Sequence, residues 1–420
     1  MNHRIVLYIL LFFSCSFTAS SAEIKSISFE GLTRTKESFL RDMIKCKVGM
    51  EFDSTLFKED EQILRNLNLF FNVDGKYVWN EALPGWDIIF YIKEAKYLYP
   101  IASISGFEDQ LKLQLGANHI NFSGKGDQLG FLYQYYDRHS FSLFHNAPRH
   151  RNLKTGHELA LSKYSTVEPL YFVDTVSSFN FDNYSFSAGG FYWLNRHWQM
   201  GTGGMVMYER YRQLDSAFTE LGMQEFTFFK YQIRTKLMYT DVNQRFEFRD
   251  GKSVEFYVET IQTPGVDGAS FFKGINEFRW YKKLGNRGNM AFRNRLAIAT
   301  NNFSPFSPFV IDGFINVRGA GNRVARGTAE LVANFEHRHT IYRHKWFLFQ
   351  AVAFSDFGTL RPPGGKFEEM FEPEAMHFFV GSGLRLHSRV LYNVVFRLDY
   401  GFSPLDTRRR GFSFGVGQFF

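Results

Sequence analysis

The sequence predicts a mainly β protein: a transmembrane antiparallel β-barrel of about sixteen strands, preceded by one small α+β domain. Aromatic residues make up 18% of the 420 residues, including 50 Phe and 21 Tyr, yet the mean hydropathy is only −0.25. Strands that alternate bulky apolar residues with polar ones account for both values. Beyond the first residues, no apolar run approaches the roughly 20 residues that a spanning helix needs, which excludes a helical membrane protein.

Residues 1–22 predict a cleavable secretory signal. Arg4 precedes the apolar run 5–13, and the segment ends in the small residues Ser20-Ser21-Ala22, which is the order that such signals show. The mature chain is expected to begin near Glu23. Cys46 is then its only thiol, so stability must come from packing or sheet closure rather than from an internal disulfide.

Residues 23–96 predict a small two-layer domain with the order strand, helix, helix, strand, strand. Alternation indicates a strand over residues 24–29. One-face spacing of apolar residues predicts a helix at about 36–45, with Thr33 or Thr35 as its N-cap, and a second helix after Asp53-Ser54. Two further strands, at 71–79 and 86–92, complete the domain.

Residues 97–420 are expected to form the barrel. Segment 253–259 places Val254, Phe256 and Val258 opposite Glu255 and Glu259, and segment 392–402 alternates in the same way. Charge on one face and apolar side chains on the other suit a watery lumen surrounded by lipid, whereas a soluble sandwich keeps its bulkiest aromatic residues inside. The long polar connections 303–326, 358–374 and 403–410 alternate with tight turns near 342–344 and 388–389, as the two ends of such a barrel require.

The closing strand is predicted at residues 411–420. Its alternate residues Phe412, Phe414, Val416 and Phe420 would face lipid, with Ser and Gly on the lumen side. Because no sheet edge can stay open in hydrocarbon, this strand is expected to pair with the first strand and close the barrel. A half-buried strand of an ordinary sandwich is the alternative that this segment alone leaves open.

The sequence offers little support for nucleic-acid binding or catalysis. The net charge is +7 and the pI about 9.1, but Lys and Arg are scattered among the strands and no basic helix appears, so nucleic acid is not an expected partner. There is no GxSxG nucleophile elbow and no HExxH helix, and we expect no catalytic residue, metal or cofactor. His337 and His339 share a strand face without a third ligand in register, so we expect them to line the lumen.

Short motifs give residues 23–96 a family resemblance. They are Phe29-Glu30-Gly31, Val48-Gly49, Phe52-Asp53, the segment 68–73 and the last strand at 88–94. Together they resemble a POTRA domain, the periplasmic module that precedes barrels of the BamA/TamA outer-membrane assembly and translocation superfamily, also called the bacterial surface antigen family.

Three motifs extend this resemblance into the barrel. In chain order they resemble the signature of the superfamily's sixth outer loop, which folds back into the lumen, the strand that receives this loop, and the glycine-rich strand that follows. The motifs are Val317-Arg318-Gly319, Phe354-Ser355-Asp356-Phe357-Gly358 and Gly381-Ser382-Gly383-Leu384-Arg385.

The resemblance implies that Arg318 enters the lumen and pairs with Asp356, with Glu336 as a second carboxylate. Gly319 would let the loop tip turn sharply. Ala320 departs from the family pattern, which usually has an aromatic residue after this signature, and this implies a tip that packs less firmly. The alternative is that Arg318 is a solvated loop charge.

The resemblance also implies a function and a location. The chain would lie in the outer membrane of a Gram-negative bacterium, with residues 23–96 in the periplasm, and would insert or translocate unfolded client polypeptides in a specialised or accessory role. Clients would pair with a sheet edge or with an opening seam between the first barrel strand, near 111–119, and the last. Expected partners are outer-membrane lipids, lipopolysaccharide, client polypeptides and accessory periplasmic or lipoprotein subunits. A passive pore or surface structural protein and an outer-membrane hydrolase are the alternatives.

Overall fold

The computed structural model describes residues 22–107, 110–148, 154–171, 176–214, 225–245, 247–266, 269–302, 307–321, 323–389 and 394–420. The predicted signal segment, residues 1–22, lies outside the described residues except for Ala22. Within these ranges, no helix has the length and apolar character needed to cross a membrane.

Residues 24–94 form a three-stranded sheet with two helices, the N-terminal domain. Its elements are β1 Ile24–Glu30, α1 Glu37–Met43, α2 Ser54–Asn66, β2 Phe70–Asn80 and β3 Gly85–Glu94. The strand order is β1-β3-β2, with β1 parallel and β2 antiparallel to β3. Helix α2 begins after Asp53, whose carboxylate accepts a hydrogen bond from Thr55 N at 2.7 Å, as expected of an N-cap. The core between the layers includes the fully buried Leu40, Leu64, Ile88 and Phe90.

The predicted barrel is confirmed: within the described ranges, sixteen strands form one closed antiparallel sheet. The strands are β4 Leu98–Phe107, β5 Gln110–His119, β6 Gln128–Tyr136, β7 Arg138–Ala147, β8 Thr155–Tyr171, β9 Val176–Trp193, β10 Trp198–Gln213, β11 Glu225–Arg245, β12 Phe248–Gln262, β13 Phe271–Leu284, β14 Gly288–Ala299, β17 Ala329–Arg343, β18 Phe347–Arg361, β19 His377–Ser388, β20 Val395–Phe402 and β21 Arg410–Val416. Between β14 and β17, the short strands β15 Phe309–Ile311 and β16 Ala325–Gly327 pair with each other.

Alternation along each strand sorts side chains between the lumen and the outer face. On the lumen side, ion pairs join neighbouring strands. They are Lys230–Glu209 at 2.6 Å, Arg234–Glu259 at 2.6 Å and Arg293–Glu277 at 3.0 Å. The opposite faces of these strands expose large apolar side chains, among them Phe229, Ile233, Phe256 and Leu296. A polar interior inside an apolar exterior is the arrangement that a barrel in lipid requires.

His337 and His339 lie on the outer face, so the prediction that they line the lumen is wrong. They alternate with Glu336 and Arg338, which are buried in the lumen. Alternation shows only that the two histidines share a face of the strand. The neighbouring Glu336, which is buried in the lumen, shows that this face is the outer one.

The barrel closes through a short seam. β4 and β21 are joined by two residue pairs, Ser105 opposite Ser413 and Ile104 opposite Phe414. In contrast, β4 pairs with β5 over ten residues, and β20 pairs with β21 over seven. The first strand is therefore β4, and the prediction that placed it near residues 111–119 is wrong, since that segment belongs to β5.

The end of the sequence turns inward. Phe412 and Phe414 are 63% and 37% exposed on the outer face, whereas Ser413 between them is buried. The strand ends at Val416, and Gly417 follows with φ +103°. Phe420 is then buried, and its carbonyl oxygen accepts a hydrogen bond from Arg338 Nη2 at 3.1 Å. The prediction that Phe420 faces lipid is therefore wrong.

The N-terminal domain also contacts the barrel noncovalently, at the connection between β5 and β6. Helix α1 has no side-chain cap, so the predicted capping by Thr33 or Thr35 is wrong. Instead, Thr33 Oγ1, Arg34 N at 2.9 Å and Thr35 N at 2.8 Å all donate to the Glu94 carboxylate. The Thr35 hydroxyl accepts a hydrogen bond from Asn121 Nδ2 at 2.9 Å, which connects this cluster to the barrel.

Glu94 should make this junction sensitive to acid. Burial raises the pKa of Glu94, but the hydrogen bonds from Thr33, Thr35 and the Arg34 amide outweigh burial and hold the pKa below its ordinary value. Such a group stabilises the fold above the ordinary carboxyl pKa of about 4.3, and its contribution is lost as the pH falls through the lowered value. Glu94→Gln is expected to weaken the junction by about 1–2 kcal/mol at neutral pH and to remove this acid response.

Hydrogen–deuterium exchange of residues 33–36 across a pH series measures both effects. Glu81→Gln, at an exposed position of the same domain, is the matched control and should exchange like the wild type. An unchanged acid response in Glu94→Gln would contradict the role of this carboxylate.

Candidate functional site

The described residues of the connection between β14 and β17, 300–302, 307–321 and 323–328, fold back into the lumen, and we call them the lumen loop. Asp312 organises it: Asp312 Oδ1 accepts from Phe314 N at 2.8 Å, and its carbonyl oxygen accepts from Asn316 N at 3.0 Å and Val317 N at 3.1 Å. This turn packs the fully buried Val317 against β18. Gly358 provides the space, because a Cβ there would lie 2.7 Å from Val317 Cγ2.

Arg318 and Asp356 form a buried bidentate pair. Arg318 Nε and Nη2 donate to the two Asp356 oxygens at 2.8 and 2.9 Å, and Arg318 N donates to Oδ2 at 3.0 Å. Both residues have an exposed fraction of 0%. Asn334 Nδ2 supports the carboxylate from β17, donating to Asp356 Oδ1 at 2.8 Å. This parallel geometry is the strongest form of an arginine–carboxylate contact.

Glu336 extends the pair into a balanced network of three arginines and three carboxylates, which we call the arginine network. Glu336 Oε2 accepts from Arg318 Nη1 at 2.7 Å, and Oε1 accepts from Arg338 Nε at 2.8 Å and from Arg385 Nη2 at 3.4 Å. Arg385 also donates to both oxygens of Asp399, at 2.7 and 3.2 Å. The members are Arg318, Arg338, Arg385, Asp356, Glu336 and Asp399, each at most 1% exposed. Each arginine of the network is hydrogen-bonded to at least one of these carboxylates, which makes such deep burial tolerable.

Two phenylalanines stack on the Arg318 guanidinium. Its central carbon lies 3.7 Å from the ring centre of Phe354 and 4.3 Å from that of Phe419. Ala320, where the family pattern has an aromatic residue, packs instead against the apolar cluster of the lumen loop. The aromatic contact that the loop tip lacks is thus provided by the wall and by the inward-turned end of the sequence, and it adds cation–π attraction to the ion pairs.

Glycines allow the close approach of the loop and the wall. Gly319 has φ +86°, and a Cβ there would lie 2.7 Å from the carbonyl oxygen of Gly401 on β20. On β19, a Cβ at Gly383 would lie 2.0 Å from Asp399 Oδ1, and one at Gly381 would lie 2.4 Å from Phe354 Cζ. The glycine-rich strand therefore leaves room for the Arg385–Asp399 pair and for the ring that stacks on Arg318.

The sequence motifs contain part of this site and miss the rest. The motifs contain Arg318, Asp356 and Arg385, the resemblance adds Glu336, and the structure brings these four together. The motifs miss Arg338, Asp399 and Phe419. Period-two alternation with Glu336 and Arg397 was a usable signal for Arg338 and Asp399, whereas no pattern marked Phe419.

The arginine network holds the lumen loop against the barrel wall. In the described part of the chain, no group of three His, Cys, Asp or Glu side chains could hold a metal ion. Nearer the N-terminal domain, a cavity of about 910 Å³ lies between α2 and the near ends of β11, β12 and β13.

Two family models match the sequence. The POTRA model, described as surface antigen variable number repeat, matches residues 22–95, and the Omp85 superfamily domain matches residues 121–420. No curated protein matches the sequence significantly.

Solved structures share the fold at low identity. BamA from Haemophilus ducreyi lacking POTRA domains 1–3 is 15% identical with a TM-score of 0.56, over 94% of this chain and 84% of that one. CdiB from Acinetobacter baumannii is 12% identical (TM-score 0.59; 94% and 74%), and CdiB from Escherichia coli is 10% identical (TM-score 0.63; 94% and 76%). The family match, the barrel and the small domain ahead of it show that the chain belongs to the Omp85 superfamily, with one POTRA domain in the periplasm and its barrel in the outer membrane.

Proposed function

We propose that this protein inserts or translocates client polypeptides by opening the seam between β4 and β21. The supporting observation is that two residue pairs hold this seam, while the adjoining ladders have ten and seven. A short ladder costs little to separate and exposes backbone N–H and C=O groups to which an extended client strand can pair. The general role of Omp85 barrels in insertion or secretion agrees with this proposal.

The POTRA domain would receive the client on the periplasmic side. β2 is an edge strand of its sheet, and near its C-terminal end Tyr77, Val78 and Trp79 are 44%, 52% and 45% exposed. An exposed edge with apolar side chains suits binding of an extended segment by strand addition. The cavity of about 910 Å³, lined by α2 and by the mouth of the barrel, connects this domain with the lumen.

A specialised or accessory role is part of the proposal, supported by the single POTRA domain that precedes the barrel. The proposed partners are unfolded clients, outer-membrane lipids, lipopolysaccharide and accessory periplasmic or lipoprotein subunits. The work would rest on strand pairing and on distortion of the bilayer near the seam, so it requires no bond-making residue.

A reversible crosslink across the seam tests this proposal. Cysteines at the opposed positions Ser105 and Ser413 should form a disulfide that prevents opening. Burial, together with Asp60, raises the pKa of the Cys46 thiol to about 12, so this thiol should not compete. In vesicles containing the chain from Glu23 onward, which lacks Cys15, the oxidised variant is expected to fold a labelled, urea-denatured eight-stranded barrel protein no faster than empty vesicles. Reduction should restore the rate.

Ser162→Cys with Ser185→Cys is the matched control, because these serines oppose each other in the long β8–β9 ladder away from the seam. Its oxidised form should remain active. If the oxidised seam variant folded the client as fast as the reduced one, the seam mechanism would be wrong. Ion conductance without any effect on the client would favour a passive pore.

A further inference from the structure

A second group of buried charges binds the lumen loop, away from the arginine network. Arg323 Nη1 donates to Glu168 Oε1 at 2.7 Å and to Thr166 Oγ1 at 3.0 Å, and Arg323 Nη2 contacts the Tyr164 hydroxyl. Arg326 Nη2 pairs with the other Glu168 oxygen, and Arg326 Nη1 donates to Ser307 O at 2.8 Å. We call Glu168, Arg323 and Arg326 the second anchor.

The two anchors lie on opposite walls. Glu168 is on β8, and Asp356 is on β18, the eighth strand from β8 in either direction around the barrel. Arg323 follows Arg318 by only five positions. The lumen loop therefore crosses the lumen between its two attachments instead of resting against one wall.

The side chains of the second anchor are largely shielded from solvent and closely packed. The side chains of Glu168, Arg323 and Arg326 are 9%, 11% and 14% exposed. The Arg323 guanidinium also lies over the ring of Tyr136 at 4.8 Å. Arg323 has φ +47°, a conformation that a residue with a side chain adopts at a cost. These contacts keep that backbone conformation in place.

An aromatic cluster covers the second anchor from the side away from the POTRA domain. Leu170, two residues beyond Glu168 on the same face of β8, packs with Phe179, Phe181 and Tyr211, and all four are buried. Tyr164, whose hydroxyl contacts Arg323, packs against this cluster as well. Exclusion of water from one side strengthens the ion pairs of the anchor.

We propose that the second anchor is the latch that keeps the lumen closed toward the outer surface, and that Arg323 and Arg326 act as positioning residues of the lumen loop. The arginine network holds the lumen loop to β18. Glu168 holds the part of the loop that carries Arg323 and Arg326 to β8, on the opposite side of the lumen. Release of the second anchor frees that part of the loop while Arg318 stays bound. This inference concerns conduction through the lumen and holds whether or not clients use the seam.

The test is the ionic conductance of the purified full chain in planar phosphatidylcholine bilayers with potassium chloride. Glu168→Gln removes the charge that both arginines share and is expected to raise the time spent conducting several-fold. Glu168→Asp keeps the charge and should return conduction toward the wild-type level. Heat-modifiable migration on gels reports separately whether each barrel has folded.

Glu259→Gln is the matched control, because Glu259 pairs with Arg234 and Lys273 on the lumen wall and has no described contact with the lumen loop. It should conduct like the wild type. Arg323→Gln leaves the Arg326–Glu168 pair in place and serves as a second variant if Glu168→Gln does not fold. Folded Glu168→Gln or Arg323→Gln barrels that conduct like the wild type, or an equal rise in Glu259→Gln, would overturn the proposal.

Discussion

Arg318→Ala is expected to lower the free energy of unfolding of the barrel by about 3–5 kcal/mol, because it leaves two buried carboxylates without their shared counter-charge. Asp356 and Glu336 lie 2.8 and 2.7 Å from the Arg318 guanidinium, and all three side chains have an exposed fraction of 0%. Loss of stacking on Phe354 and Phe419 acts in the same direction. Urea unfolding of the folded protein in lipid vesicles measures the change. Arg408→Ala, at a side chain that is 90% exposed and pairs with Asp406, is the control and should leave stability unchanged.

A double-mutant cycle shows whether the buried pair itself carries this effect. Asp356→Ala should also be strongly destabilising, since it leaves a buried guanidinium with one fewer carboxylate. The double variant should be little worse than either single one, because the pair is lost only once. Additive effects, or no effect of either change, would mean that Arg318 behaves as an independent solvated charge.

The fold could be predicted from the sequence because apolar and polar residues alternate along a strand that has lipid on one face and the lumen on the other. Val254, Phe256 and Val258 face outward from β12, and Glu255 and Glu259 face the lumen, as period two requires. The Arg318–Asp356 contact was accessible only through the family motifs, because the two residues are 38 positions apart. No local pattern connects a loop arginine with a carboxylate on a distant strand.

Sequence patterns gave wrong predictions where the chain departs from regular strand geometry. They were also wrong where alternation could not show which face of a strand points to the lumen. Pro100 lies within β4. Because proline has no N–H, it indicates a break in a strand unless the strand is known to lie at a weakly paired seam. At the other side of the seam, alternation ends at Gly417. The residues after it, including Phe419, follow the lumen rather than the outer face, and extending period two beyond the strand gave the wrong side for Phe420.

Phe414→Arg is expected to destabilise the folded barrel by about 2–4 kcal/mol, the cost of a cationic side chain near the middle of the lipid-facing band. Phe414 lies on the outer face of β21, with the buried Ser413 before it and the lumen-side Gly415 after it. Folding titrations in lipid vesicles measure the cost. Phe412→Arg, two residues nearer the outer end of the strand, is the matched variant and should cost less, because the penalty falls toward the interface. Equal stability of Phe414→Arg and the wild type would contradict a lipid-facing β21.

Folding titrations in lipid vesicles also show whether residues 417–420 turn into the lumen or continue β21 along the outer face. Phe420 lies beside Arg338, whose guanidinium carbon is 5.8 Å from the ring centre. An aspartate at position 420 would therefore meet a buried cation, whereas an aspartate at position 414 would meet lipid. The effect of Phe420→Asp should depend on Arg338 and become larger in combination with Arg338→Ala, while the effect of Phe414→Asp should be the same with or without Arg338. If neither variant responded to Arg338, Phe420 would face lipid as the alternation predicts, and the end of the sequence could not contribute the ring that stacks on Arg318.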